Sequence, residues 1–377
     1  MSKLPNSSTS IFAVMSALAK EHNALNLSQG FPNYPSSKKL INLVTKAMNN
    51  GYNQYAPMAG NLELRLAITK KYTTLYKSTY HPENEITITA GATQAIYTIA
   101  SAFVRPKDEV IIFKPAYDCY EPAVKINGGK TIPIQLSAPN YKVNWDEVAS
   151  KISSKTKMII VNSPHNPSGT IWSKADWLQL QKLTKNTNFI VLSDEVYEHM
   201  VFDGEKHLSV CEFEDLKQRS FITASFGKTF HTTGWKIGYC CAPDYLMSEF
   251  RKVHQFVVFS INHPTQKGIA DYMHDPETYL GLDAFFQQKR DLFLNLISSS
   301  KFKFTPSQGT YFQVLDYSNI SDECDVDFAK RLTKDYKLAT IPLSVFNENN
   351  KDDKVIRVCF AKTDETLVKA ADIITKL

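Results

Sequence analysis

The sequence predicts an α/β protein: a mostly parallel sheet covered by helices on both faces, plus a smaller α+β unit. Three observations carry this. From about residue 85, short β-rich runs alternate with segments of helical periodicity. The strand runs are apolar on both sides, as at Met158-Ile159-Ile160-Val161, the pattern of strands buried on both faces. The last third of the chain then loses the alternation and changes character.

Glu85-Ile86-Thr87-Ile88-Thr89 reads as the first strand of the series. A helix follows over about 92–104, with apolar spacing at Ile96, Ile99, Ala100 and Phe103. Strands are expected at 109–113, 131–136, 158–162, 189–193, 221–224 and 237–241, with a helix over 174–185. Pro243 suits the first turn of a long helix. In the last third, strands at 311–315 and 355–360 and a helix through 327–336 suggest the separate unit. Its final helix begins at Thr363, a good N-cap, with Asp364 and Glu365 favourable in the first turn. The expected division is a large domain over 38–263 and a small one built from 1–37 and 264–377.

The 377 residues suffice for a large core, and 43% hydrophobic with 21% charged residues is ordinary globular composition. The net charge is only +5, and the lysines that carry it are scattered among acids. Nucleic-acid binding is therefore not expected. The start, Met1-Ser2-Lys3-Leu4-Pro5-Asn6, has no apolar leader core, and no apolar run is long enough to span a bilayer. The six cysteines show no Cys-x-x-Cys pair or zinc spacing, so no metal is expected, and reduced thiols point to the cytoplasm. Cys240 and Cys241 read as core fillers.

In an open α/β sheet, ligands sit outside the carboxyl ends of the strands, and the chemically interesting residues all fall there. Lys228 follows the strand Phe221–Ala224 in Ser225-Phe226-Gly227-Lys228, with a second cation, Lys236, eight positions on. Desolvation and a cationic neighbour both lower a lysine pKa, which suits an amine meant to attack a carbonyl. Thr89-Ala90-Gly91-Ala92-Thr93-Gln94 is either a plain turn or an anion seat at a helix start, using the N–H groups of Ala92 and Thr93. Asn162-Ser163-Pro164-His165-Asn166-Pro167-Ser168-Gly169 is either an ordinary Asn-Pro turn or a rigid loop that aims Asn166. His165 receives no role. Asp194 is either a helix N-cap or a desolvated carboxylate awaiting a cation, with Tyr197 three residues on. Arg357, amid a buried-type strand, needs an anion from the protein or from a ligand. Tyr117 is either core or a stacking surface for a planar ring.

Together these pieces resemble fold-type I pyridoxal-phosphate enzymes, specifically class I/II aminotransferases. The resemblance runs from Asn26-Leu27-Ser28-Gln29-Gly30-Phe31-Pro32 to Ile356-Arg357-Val358-Cys359-Phe360. The Ser-x-Gly-Lys and Gly-Trp-Lys-x-Gly-Tyr block paired with the Asn-Pro-x-Gly loop is highly specific. Tyr52-Asn53-Gln54-Tyr55-Ala56-Pro57, Tyr117-Asp118-Cys119-Tyr120-Glu121-Pro122, Ser193-Asp194-Glu195-Val196-Tyr197-Glu198-His199 and Ile341-Pro342-Leu343-Ser344-Val345-Phe346 are similar to the methionine and kynurenine/glutamine group.

The resemblance implies a seven-stranded sheet and pyridoxal 5'-phosphate as cofactor. It implies that Lys228 bonds covalently to the cofactor and then moves the substrate α-proton. Asp194 would pair with the ring nitrogen, Asn166 and Tyr197 would bond the phenolic oxygen, and Tyr117 would stack on the ring. Ala92, Thr93, Ser225 and Lys236 would hold the phosphate, with Tyr55 reaching across a homodimer interface. Arg357 would grip the substrate carboxylate, near Gly30, Asn166 and Phe12. Lys236 stands where many aminotransferases carry arginine, a mark of the methionine and kynurenine group.

The substrates implied are an amino acid and a 2-oxo acid. Between Arg251 and Arg290 there is no arginine to bind a second carboxylate, while Phe12, Phe31, Tyr34, Tyr55, Phe259 and Phe346 offer an apolar lining. Methionine is the first expectation, then phenylalanine, tyrosine, leucine, histidine or glutamine. The rivals are a cysteine-conjugate β-lyase, a coenzyme A-dependent oxoamine synthase, and a non-catalytic regulator. The stretch before Gly30 is short for the DNA-binding segment such a regulator carries.

Overall fold

The computed structural model describes residues 2–5 and 9–377; Met1 and Asn6, part of the stretch read above for a leader, lie outside it. Its centre is a seven-stranded sheet in the order Ile86–Thr89, Gly238–Cys241, Ser220–Ser225, Ile190–Asp194, Thr156–Asn162, Glu109–Lys114, Lys130–Gln135. Gly238–Cys241 runs antiparallel to both its neighbours, and the other pairings are parallel. Side chains alternate between two cores as the pleat requires. Val110 and Ile112 join the core containing Ile96 and Phe250, while Ile111 and Phe113 join the one containing Trp177 and Leu180.

The expected elements form with shifts of one or two residues at their ends. The C-terminal helix is Asp364–Ile374, capped by the Thr363 side chain on Thr366 N. The smaller unit is a three-stranded antiparallel sheet, Ile341–Pro342, Val355–Cys359 and Phe312–Asp316. Leu25–Asn26 pairs in parallel with Leu338–Ala339, which places the N-terminal segment against this unit. The helix His263–Met273 packs instead on Lys38–Asn49 and Leu62–Tyr76, and Gly268 lies so close to Val44 that a Cβ there would meet its backbone N at 2.8 Å. The boundary expected at 263 and 264 thus falls at the first residue of a helix whose packing partners precede it. Among the described residues no helix is long and apolar enough to cross a membrane.

The strand order reverses between Glu109–Lys114 and Thr156–Asn162: the chain leaves the first for the edge strand Lys130–Gln135 and returns on the other side. A switch of this kind opens a crevice at the carboxyl ends.

Candidate active site

A cavity of about 340 Å³ occupies that crevice. Its wall includes Lys228, Asp194, Asn166, Tyr197, Tyr117, Ala92, Thr93, Ser225, Lys236, Gly30, Arg357 and Phe12, which are all but one of the residues that the resemblance assigned to cofactor or substrate. Tyr55 is the exception. It is 80% exposed, lies edge-on to the exposed Phe259 at 5.3 Å, and is absent from the cavity wall.

Lys228 lies in the single helical turn Phe226–Thr229 after Ser220–Ser225. Its ammonium donates to Tyr311 Oη at 2.8 Å and to the Gly30 carbonyl at 3.0 Å. Burial, with repulsion from Arg357 and Lys236, lowers its pKa to about 8.

Asp194 ends its strand fully in the interior, 3% exposed. A turn and not a helix follows, so the N-cap alternative drops out. Its Oδ2 accepts from Tyr120 Oη at 2.6 Å and its Oδ1 from Thr223 Oγ1 at 3.4 Å. Burial raises its pKa to about 6, offset in part by these donors. No cation pairs with it among the described residues.

Arg357 is 1% exposed at the middle of Val355–Cys359. Its Nη1 donates to Asn166 Oδ1 at 2.7 Å and its Nη2 to the Ser28 carbonyl at 3.2 Å, while Nε has no partner among the described residues. The guanidinium lies 3.8 Å from the Phe312 ring centre and 5.3 Å from that of Phe12. Among the described residues no carboxylate is in ion-pair range, which removes the intramolecular alternative. A planar fork held flat on an aromatic ring presents a bidentate face to an incoming carboxylate.

The loop after Thr156–Asn162 is tied down by hydrogen bonds from its own side chains. Asn166 N donates to Asn162 Oδ1 at 2.8 Å, and the buried His165 bridges Ser168 Oγ (2.6 Å) and the Pro115 carbonyl (3.0 Å). Burial lowers the His165 pKa to about 4, so it is neutral at ordinary pH and serves the loop's shape. With its oxygen held by Arg357, the Asn166 amide has no acceptor for its N–H groups among the described residues.

The helix Gly91–Phe103 begins at Ala90 with no side-chain cap. Its first N–H groups are thus open to an anion. Gly91 has φ +74°, and a Cβ there would sit 3.4–3.5 Å from Lys236 Cδ, Cε and Nζ, so the lysine stem lies against the helix start. Tyr117 shares the cavity wall with Ala92 and Thr93, and burial holds its phenol protonated. Tyr197 is buried with its ring edge-on to Tyr311 at 5.2 Å.

Several wall or partner residues escaped the sequence reading. Tyr120, which bonds Asp194, stood in the quoted Tyr117–Pro122 segment without a role. Tyr311, which accepts from Lys228, and Phe312, which supports Arg357, stood in an expected strand 83 and more positions from Lys228, with no local signal. Of the aromatics proposed as lining, Phe12 and Phe31 reach the cavity; Tyr34, Tyr55, Phe259 and Phe346 are not on its wall, Phe346 packing against Phe12 and Tyr34 against Phe285.

Fold and site together define a transaminase-type α/β enzyme, and comparison with known proteins makes the class specific. Residues 22–374 match the model of the family Aminotransferase class I and II, and the chain belongs to that family. It is 45% identical over 377 residues to a methionine aminotransferase of Escherichia coli (strain K12), covering 100% of this chain and 98% of that one. A kynurenine–oxoglutarate transaminase of Dictyostelium discoideum is 32% identical across 98% of this chain and 94% of its own. A crystal structure from Escherichia coli, reported as identifying a methionine aminotransferase function, aligns with TM-score 0.98 and 45% identity, covering 100% of this chain and 99% of that one. The chain is an aminotransferase with the fold-type I architecture.

Proposed function

We propose that this enzyme uses pyridoxal phosphate to move the α-amino group of methionine, or of another apolar or aromatic amino acid, to a 2-oxo acid. The observation that carries the reading is Arg357: a buried guanidinium with no carboxylate in ion-pair range among the described residues, sharing one cavity with an amine whose pKa burial lowers to about 8.

The residues fit the cofactor. An uncapped helix start beside Lys236 suits its phosphate, and a buried carboxylate without a cation suits a protonated ring nitrogen. In this reading Ala92, Thr93, Ser225 and Lys236 hold the phosphate, Tyr117 covers the ring, and Asn166 and Tyr197 donate to its phenolic oxygen. When bound, the cofactor supplies an electron sink for the charge left as the substrate α-proton departs. Asp194 keeps the ring nitrogen protonated. Lys228 would be the residue that holds the cofactor covalently and that carries the substrate α-proton; burial beside Arg357 and Lys236 lowers its pKa to about 8, which leaves a useful fraction as free amine. Arg357 grips the α-carboxylate and so orients the Cα–H bond toward Lys228.

The donor preference follows from the wall. Its cations are Lys228, Lys236 and Arg357, each already assigned. Arg251 donates to Thr87 Oγ1 and the Ile86 carbonyl, and Arg290 pairs with Asp203 and Asp291. Phe12, Phe31, Ile96, Val196 and Phe312 supply an apolar surface. We also read the enzyme as a homodimer in which Tyr55 enters the partner's site, because its ring is 80% exposed, touches the exposed Phe259 and lies away from the cavity of its own chain. Six free cysteines favour a reducing, cytoplasmic setting. We read the chain as a large unit that includes His263–Met273 and a smaller one built from the residues that follow it together with the N-terminal segment.

The test is kcat/KM across a panel of amino donors with the cofactor-loaded enzyme. Methionine or an aromatic amino acid should lead. Aspartate as best donor overturns the preference, and pyruvate with ammonia from a cysteine conjugate, without an acceptor, would select the β-lyase reading.

A further inference from the structure

Lys362 follows Val355–Cys359, the strand that carries Arg357, and is 2% exposed. Its ammonium has no carboxylate in ion-pair range among the described residues. It donates instead to two backbone carbonyls, Phe31 O at 2.7 Å and Gln29 O at 3.4 Å, and lies 5.2 Å from the Phe31 ring centre. A buried ammonium without a counter-ion is costly to keep, and a protein gains little fold stability from it.

The carbonyl between those two belongs to Gly30. It points the other way and accepts from Lys228 Nζ at 3.0 Å and from Tyr311 Oη. Three successive carbonyls are thus shared by two lysines on opposite sides of one short strap. The strap has little freedom otherwise: a Cβ at Gly30 would sit 2.8 Å from Phe312 Cζ. Gly30, Phe31 and Phe312 all face the cavity.

We infer that Lys362 is a positioning residue for the amino-acid substrate: it holds the Gln29–Phe31 strap so that the Gly30 carbonyl and the Phe31 ring form one wall of the donor site. The inference rests on the functional reading above and adds a residue that touches neither cofactor seat nor substrate. Charge-assisted hydrogen bonds to the strap carbonyls set its geometry, and the ammonium over Phe31 sets that ring's angle.

The probe is 3-phenylpropionate, which has the carboxylate and an apolar arm but no amino group to react. Its Kd for the cofactor-loaded enzyme is measured by calorimetry for wild type, Lys362→Met and Lys362→Arg, beside the melting temperature. Loss of a charged hydrogen bond of this kind is expected to weaken binding about tenfold in Lys362→Met. Lys362→Arg, which keeps a cationic donor, is expected to recover most of that loss. An unchanged Kd in Lys362→Met overturns the inference alone. Equal weakening in both variants, tracking a lower melting temperature, assigns Lys362 to fold stability and also overturns it. If the wild type itself fails to bind the probe, the apolar-donor reading fails, and the inference with it.

Discussion

The Tyr120 hydroxyl donates to Asp194 Oδ2 at 2.6 Å, and that bond is the main support of a buried carboxylate with no cation. The carboxyl's pKa moves from its ordinary 3.8 to about 6. A pKa raised on folding means the folded protein holds a proton that the unfolded chain has released between about pH 4 and pH 6. Stability of the cofactor-free protein therefore falls as pH rises through that window, by about 3 kcal/mol from this group. Asp194→Asn is expected to remove the penalty: the cofactor-free variant should unfold at higher denaturant than wild type at pH 8, with little difference at pH 4, while transamination is largely lost. Equal denaturation midpoints at pH 8 would refute the assignment.

Tyr120→Phe tests the same pair from the other side. With its strongest donor gone, Asp194 should ionise less readily, so the cofactor-free variant should carry an even higher carboxyl pKa. Infrared titration of the carboxyl band reads this directly; a downward move contradicts the geometry.

Lys228→Ala removes both the covalent attachment point and the proton carrier. General-base catalysis alone is worth about 10²- to 10⁴-fold in rate, so turnover should fall by at least that much. Borohydride trapping of the wild-type adduct should map to Lys228. Retention of more than a few per cent of activity, or an adduct on another lysine, removes the central assignment.

Arg357→Met should leave cofactor binding intact and weaken donor binding. Truncating a buried charge partner typically costs about 2–5 kcal/mol, so the donor's KM should rise about 30-fold or more. Arg357→Lys should fall between, because an ammonium keeps the charge and loses the fork. An unchanged KM in Arg357→Met would move the carboxylate site elsewhere.

Tyr55 can be placed by complementation. Tyr55→Ala and Lys228→Ala chains are each expected to be impaired as homodimers. Mixed and allowed to exchange, they should regain activity, because one site then combines an intact Lys228 with the partner's intact Tyr55. No recovery in heterodimers verified by mass spectrometry rules out sharing across the interface.

Much of the site was legible because its residues carry local signals. Gly91, Pro164, Pro167 and Gly169 mark turns at strand ends, and a lysine or aspartate at such an end has few structural uses. Asp194 could be suspected, but its freedom from a helix and its bond to Tyr120 could not. Arg357 could be flagged as needing an anion, but whether the protein supplied one depended on every acid in the chain. Tyr311, Phe312 and Lys362 sit in ordinary strand or post-strand sequence and acquire meaning only opposite Gly30, Lys228 and Arg357. The helix His263–Met273 shows the same limit for the fold: its sequence suits either unit, and only its packing on Lys38–Asn49 assigns it.

The sequence by itself determined the strand and helix order, the chemistry at the strand ends and the family, because turn residues, pleat alternation and motif spacing act over a few residues. Tertiary structure alone decided which charges go unpaired. That depends on the summed positions of groups hundreds of residues apart, and an unpaired buried charge is the feature that a ligand of opposite charge can answer.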